Sequence, residues 1–414
     1  MQSCRLSNPQ RTASLAVMLL ASTGIATTAL AQSITGLGRL DGGHASYGNA
    51  VSDDGQAATG WSYSSGGGRA FLWTPAGGMA SLGTLGGSQS FGHGTSGDGQ
   101  IVVGEVNLPG NPLRAFRWTS TGGMQSIGAL PGGNHSKATG ISRDGRVIVG
   151  ESKVANGYFR AFRWTEQEGM QDLGTLPGKT GSYAYGTNSD GSVIVGTSDL
   201  PNDQAARAFR WTVSGGMEDL GVLPDTTGMY AQAVSADGTV ITGRRVQASG
   251  ANTMFRWSTT EGLEDLGSCP GQDYAAGAGI NADGSVIIGQ CGFIGGSGIA
   301  VMWTRRIGVV DLNTYLPTVG IDLTGWNLIG AGGMSPDGRH FTGWGYHDGG
   351  AEAFVVTLPC PADLNYDGTV DFFDYLDFTA ALDGAEATAD FNGDEVVDFF
   401  DYLDFVAAFD AGCE

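Results

Sequence analysis

Between Cys360 and Glu414 the chain has no lysine and no arginine, against 15 aspartates and glutamates. A segment of one sign has nothing with which to neutralise phosphates, so nucleic acid is excluded as its partner. The formal charge of −21 is concentrated there, and the remainder beyond residue 31 is only mildly acidic. Cysteine is scarce, five in 414 residues, and none forms Cys-x-x-Cys, so zinc-ribbon and dithiol redox chemistry have no footing. His-x-x-x-His, His-Glu-x-x-His, Gly-x-Ser-x-Gly and phosphate-binding loops are also missing, which removes the familiar zinc, serine-hydrolase and nucleotide sites. Long apolar runs are absent beyond residue 31. The one candidate, Ala13 to Ala29, follows Arg5 and Arg11, is interrupted by Ser14, Ser22, Thr23 and Gly24, and ends in Ala29-Leu30-Ala31. That reads as a cleaved secretory signal over 1–31, with an exported, soluble product starting at Gln32.

Residues 32–358 repeat with a period near 46. An Asp-Gly turn recurs at Asp54, Asp98, Asp144, Asp190, Asp237, Asp283 and Asp337, usually followed by a β-branched run ending in Gly. Phe-x-Trp recurs at Phe71, Phe116, Phe162, Phe209 and Phe255, degrading to Val301/Trp303 and to Phe354 alone. Leu-Gly-x-Leu or a relative recurs at Leu37, Leu82, Ile127, Leu173, Leu220, Leu266 and Leu312. Asp-Gly between apolar runs signals a two-residue hairpin. Each unit therefore reads as four short strands, which is propeller arithmetic. The chain opens on a lone fourth strand, Ile34 to Leu40, and its seventh unit stops after a third strand at Ala353-Phe354. The first strand would complete the last blade, leaving no open edge. The expected fold is all-β, a seven-bladed propeller of four-stranded repeats. A solenoid is the alternative.

The acidic tail carries one twelve-residue loop twice. The first has Asp363, Asn365, Asp367, Thr369, Asp371 and Asp374 at positions 1, 3, 5, 7, 9 and 12; the second has Asp390, Asn392, Asp394, Val396, Asp398 and Asp401. Side-chain oxygens at 1, 3, 5, 9 and 12, with a backbone carbonyl at 7, wrap a hard cation that takes six to eight oxygens, so Ca2+ at two sites is expected. Position 6 is Gly368 in the first copy and Glu395 in the second, which costs on the order of 1 kcal/mol where positive φ is wanted. The second site is expected to be weaker. Each loop runs into Phe-Phe-Asp-Tyr-Leu-Asp-Phe, a helix, and no helix precedes it.

A duplicated calcium loop with only its exiting helix resembles a dockerin domain, here over residues 359–414. It is most similar to the dockerin-like anchor bracketed by cysteines, Cys360 and Cys413. The resemblance implies calcium-dependent folding and docking to a cohesin-like partner. Positions that dockerins use for docking hold Phe372, Phe373, Phe399 and Phe400; one Phe of each pair is expected in the small core, the other at the partner. The large domain resembles HAF-type extracellular repeats, with Arg in place of His in Arg69-Ala-Phe71, Arg114-Ala-Phe116, Arg160-Ala-Phe162 and Arg207-Ala-Phe209. That likeness implies architecture rather than activity.

Export would remove Cys4, leaving Cys269, Cys291, Cys360 and Cys413, whose three possible pairings sequence does not separate. Cys360–Cys413 is favoured because it staples a module too small for a large core, contributing roughly 4 kcal/mol on the chain-entropy model. Cys269–Cys291 would follow.

No catalytic set declares itself. The four arginines either form a positive crown for uronic or sulfated glycans, or pair with cross-strand Asp or stack on Trp. His44, His93, His135, His340 and His347 read as isolated surface residues. The loop acids Asp199, Asp203, Asp225, Asp273, Asp322 and Asp348 offer no selected pair. Off-repeat aromatics (Trp61, Tyr183, Tyr230, Trp326, Trp344 among them) would serve sugar stacking or blade packing. The expected function is a secreted, non-catalytic binding or scaffold propeller tethered through the tail. The alternative is an extracellular polysaccharide-degrading hydrolase or lyase carrying a dockerin.

Overall fold

The computed structural model describes residues 32–411 except 111, 201–203, 295–297, 367–368 and 392–395. The signal-peptide segment, Asp203, Asp367, Asn392, Asp394, Glu395 and Cys413 therefore lie outside the described residues. Seven four-stranded antiparallel sheets succeed one another along the chain. Blades 1 to 6 occupy residues 46–81, 90–128, 136–172, 181–219, 226–267 and 274–311. Blade 7 combines 327–357 with the first strand of the chain, Ser33–Gly36, which pairs antiparallel with Gly350–Thr357. The closure expected from the phase of the repeat is there. Its strand is shorter than expected, because the ladder ends once Leu37 N donates to Ala353 O and Gly38 turns the backbone at φ +75°.

The recurring residues join blades. In the first four junctions read from blade 7, the Ala after the motif position donates its N–H to a serine of the next blade: Ala353 to Ser46, Ala70 to Ser90, Ala115 to Ser136 and Ala161 to Ser182. Each serine passes the bond to the carbonyl of the Gly in Leu-Gly, at Gly38, Gly83, Gly128 and Gly174. All four serines are fully buried, so their hydroxyls must be satisfied internally. The Phe of Phe-x-Trp fills the space between sheets and is fully buried at 71, 116, 162, 209 and 255, contributing about 1.5–3 kcal/mol each. Val193, Val195 and Ala208 of blade 4, for example, pack against Met229, Ile241 and Phe255 of blade 5.

The Asp-Gly hairpin is not the two-residue turn expected. Ser52 N bonds Ala57 O, and Gly55 N closes on Ser52 O, so four residues lie between the paired ends. The Ser52 hydroxyl donates to Asp54 Oδ1 and accepts from Ala57 N, while Asp54 Oδ1 also takes Gln56 N. A small polar residue and the Asp carboxylate together hold the loop, which explains why both recur. The aspartates are turn formers, as their sevenfold repetition implied.

The β-branched run ends in Gly because each first strand carries a bulge opposite it. The register skips one residue in blades 1 to 6, namely Asn49, His93, Thr139, Tyr185, Gln232 and Ala278. At Gly104 a Cβ would run into Phe91 O and the Phe116 ring. The bulge turns His93, Thr139, Gln232 and Ala278 into the axial channel.

The tail follows with two helices, Phe372–Asp383 and Phe399–Ala411, each leaving its acidic loop. Phe378 and Phe405 stack at 4.0 Å in its core beside Cys360, Ala362 and Ala389. Cys269–Cys291 is formed, with Cα atoms 6.0 Å apart. Cys360 is disulfide-bonded, and its expected partner lies outside the described residues. Among the described residues no helix is long and apolar enough to cross a membrane.

Candidate functional site

In the acidic loops, the expected ligands Asp363, Asp374, Asp390 and Asp401 are all buried, Asp374 and Asp401 completely. Asp374 accepts from the backbone N–H groups of Leu364, Asn365 and Asp371, and Asp401 from those of Phe391 and Asp398. Asp371 and Asp398 cap the helices through Phe373 N and Phe400 N. Four carboxylates are thus withdrawn from water in a segment without one basic residue, an arrangement that calls for a cation. Burial pulls Arg339 of blade 7 below the usual guanidinium range, and the charges of Asp337 and Asp363 offset part of that pull. The oxygen-only donor set fits calcium. Among the described residues no three His, Cys, Asp or Glu converge as a metal group, and Asp367, Asn392 and Asp394, expected as ligands from the sequence, fall outside them. Thr369 and Val396 flank those gaps.

Both phenylalanines of each pair stand out of the core. Phe372, Phe373, Phe399 and Phe400 are 64–65% exposed, so neither copy packs one inward as expected. The helix face explains it: Asp374 with Phe378, and Asp401 with Phe405, take the inward i, i+4 positions, leaving the first two residues off that face.

In the propeller, the first strands enclose an axial channel of about 170 Å³. Its lower mouth is formed by the residue before each turn Asp. These residues bond backbone to backbone: Asp53 N to Gly97 O, Gly97 N to Arg143 O, Ser189 N to Ala236 O, Ala236 N to Ala282 O, and Ala282 N to Pro336 O. Arg143 then crosses the axis. Its guanidinium donates to Val51 O and Met334 O and pairs with Asp53 Oδ1 at 2.9 Å. Blade 3 is thereby tied to blades 1 and 7, barring that end.

The upper mouth, where first strands begin, is where the blades differ. The residue after the bulge-facing Gly is Trp61, Glu105, Glu151, Thr197, Arg244, Gln290 and Trp344 in blades 1 to 7. Aromatic rings form an arc over blades 7, 1 and 2. Tyr47 stacks on Trp61 at 4.4 Å and meets Trp344 edge-on at 5.2 Å, and Trp61 meets Phe91 at 5.2 Å. The arc ends at an ionisable cluster between blades 2 and 3. Glu105 Oε1 lies 3.5 Å from His93 Nε2 and 4.0 Å from Lys137 Nζ, and Lys137 is the ladder partner of Glu151. Burial opposes the charge on Glu105, but His93 and Lys137 outweigh it and hold its carboxyl below the usual range. At Glu151 burial dominates, Glu105 adds to it, and against the pull of Lys137 the carboxyl is pushed up to about 7. Burial holds His93 toward neutrality.

His93 is therefore no isolated surface histidine; it lines the channel as a bulge residue. His135 meets Phe159 edge-on, His340 is buried against the Thr357 hydroxyl, His347 stacks on Trp326 at 4.2 Å, and His44 stacks on Tyr63. Of the arginines, Arg207 pairs with cross-strand Asp219 at 3.0 Å, and Arg160 lies 3.9 Å from Asp172. Arg69, Arg114 and Arg160 also reach carbonyls of the next blade's leading loop, at Ser88, Asn134 and Thr180. The cation–π contacts fall elsewhere, Lys153 over Phe159 and Arg244 over Tyr230. Glu105, Lys137 and Glu151 escaped the sequence reading. The signal for the two glutamates was the residue following each recurrent Gly, the place where the repeat lapses; Lys137 stands opposite Glu151 on the first strand.

No protein-family model matches this chain, and no curated protein does. Solved structures do. An oligogalacturonate lyase in complex with manganese aligns at TM-score 0.54 and 14% identity, covering 79% of this chain and 93% of that one. The oligogalacturonate lyase from Vibrio parahaemolyticus aligns at TM-score 0.54 and 13% identity, covering 80% and 96%. TolB from Acinetobacter baumannii aligns at TM-score 0.43 and 13% identity, covering 76% of this chain and 63% of TolB. What the two lyases share with this chain is the propeller fold.

Proposed function

We propose that this chain is a secreted, non-catalytic glycan-binding or scaffold propeller, held by a calcium-dependent, dockerin-like tail to a cohesin-like partner. The observation that carries the tether is the pair of Phe-Phe steps, exposed to the same degree at the same place in both copies of a loop whose acids are buried without a basic residue. Large exposed aromatics on a small rigid module are characteristic of docking anchors. The disulfides suit an oxidising compartment. For the propeller, the Tyr47–Trp61–Phe91 arc beside a channel barred at its other end offers stacking faces to sugar rings. Calorimetric titration of the full chain with calcium should show saturable binding that Asp363→Ala with Asp390→Ala abolishes. Heat no different from the chelated control would remove the tether reading.

A second reading, an enzyme of polysaccharide breakdown, has one observation in its favour. Glu105 and Glu151 sit at equivalent places in adjacent blades with protonation pushed in opposite directions, which is how paired carboxylates divide acid and base roles. Release of new chain ends from a glycan by wild type but not by Glu151→Ala would favour it over binding alone.

A further inference from the structure

The chain has only three lysines in 414 residues, Lys137, Lys153 and Lys179, and the fold gathers them on one sector of the upper mouth. Lys137 lies on the first strand of blade 3, Lys153 ends its second strand, and Lys179 sits in the connection to blade 4. Arg114 and Arg160, at the start of the third strands of blades 2 and 3, complete the group. Both guanidinium groups donate to neutral carbonyls, and Arg160 also lies 3.9 Å from Asp172. Burial first, then the charges of Lys153, Arg114 and Lys137, hold His135 toward neutrality against the pull of Glu105. The acids facing this sector are Glu105, Glu151, Asp172 and Asp199, of which Glu151 is pushed toward its neutral form. Nothing in the repeat calls for these lysines. Where blade 3 has Lys137, blades 1, 2, 4 and 5 have Tyr47, Phe91, Tyr183 and Tyr230. A positive sector on a molecule of formal charge −21 is a local exception to its field, and it adjoins the aromatic arc through Phe91 and Glu105, which are ladder partners.

We propose that this sector is a subsite for an anionic sugar of a glycan, with Lys137 and Lys153 taking its carboxylate or sulfate while neighbouring sugars stack along Phe91 and Trp61. The subsite rests on the glycan-binding reading above and names its ligand class. Lys137 stands between Glu105 and Glu151 and exchanges one carboxylate contact for another on binding; Lys153, over the Phe159 ring at 5.1 Å, brings charge without an acidic partner within ion-pair distance among the described residues.

The test is calorimetric titration of the full-length protein with an oligogalacturonate, a sulfated oligosaccharide and a neutral oligosaccharide of equal length, each at low and high salt. An anionic ligand should bind more tightly than the neutral one and weaken with salt. Lys137→Gln with Lys153→Gln should lower that affinity about tenfold without changing binding of the neutral ligand. Lys137→Arg should retain binding, which separates lost charge from lost folding. A preference for the uronate or the sulfate arm selects the source of the anion. Neutral ligand bound as tightly as either anion, or unchanged affinity in the double Gln variant, overturns the subsite and leaves glycan binding standing. If no glycan binds, both readings fall.

Discussion

The two mouths of the channel are made by the same seven hairpins and obey opposite rules. At the lower mouth, one position per blade bonds to its neighbour through the backbone, broken at Pro336, which has no N–H to offer Asp53, and between Arg143 and Ser189. Backbone bonds tolerate almost any side chain, so Asp, Gly, Ser and Ala occupy that position and donate the same bond, while Pro336 can only accept it. At the upper mouth the backbone is already paired within each sheet, and the side chains of Trp61, Glu105, Glu151, Arg244 and Trp344 meet what the neighbouring blades supply. Repetition is taken up with joining blades. Chemistry is to be sought where repetition lapses.

The largest test strikes what all blades share. Gly104→Val would drive a branched side chain into Phe91 O and the Phe116 ring, and should destabilise the propeller by about 4 kcal/mol or more, seen as a lowered calorimetric transition. A loss under about 1 kcal/mol would show that the bulge is adjustable. The next strikes a one-off residue at the upper mouth. The folded carboxyl of Glu151 titrates at about 7, against 4.5 when free. The folded state therefore holds the proton more tightly, and stability falls as pH rises from 4.5 through 7, by on the order of 3 kcal/mol once both states are ionised. Glu151→Gln should melt higher than wild type at pH 8 and alike at pH 4; equal melting at pH 8 would mean that Glu151 is well solvated. The smallest concerns the exception at the lower mouth. Arg143→Ala removes a part-exposed ion pair and two carbonyl contacts, and should cost about 1–2 kcal/mol while leaving glycan binding at the upper mouth unaltered. Altered ligand affinity in that variant would show the two mouths to be coupled.

The period, the blade count and the closure were legible because the residues that mark them are the joinery itself. Phe71 and its equivalents fill the inter-blade space, and Leu-Gly supplies the carbonyl that ends the Ala-to-Ser relay. The turn type was misread, since a serine hydroxyl that accepts from an N–H five residues on enlarges the loop, and dipeptide signals do not register that. The phenylalanine pairs were misassigned for a related reason: Asp374, an acid, takes an inward position of the helix ahead of two aromatics. The cluster of His93, Glu105, Lys137 and Glu151 was invisible to a search for recurrence, because its members come from different blades and share no local motif. Comparing the residue after each recurrent Gly, and asking where the lysines fall, would have found it.

The strand Ser33–Gly36 has consequences for how the molecule comes to be. Its partner, Gly350–Thr357, is synthesised more than 300 residues later, so the propeller's first strand waits for its last. Every intermediate length has an unpaired sheet edge on both sides of the growing ring. Contacts of such sequence separation form slowly. The nascent chain is thus most exposed to misassociation just before blade 7 is complete, and a chain stopped short of Gly350 would lack not one blade but the circle.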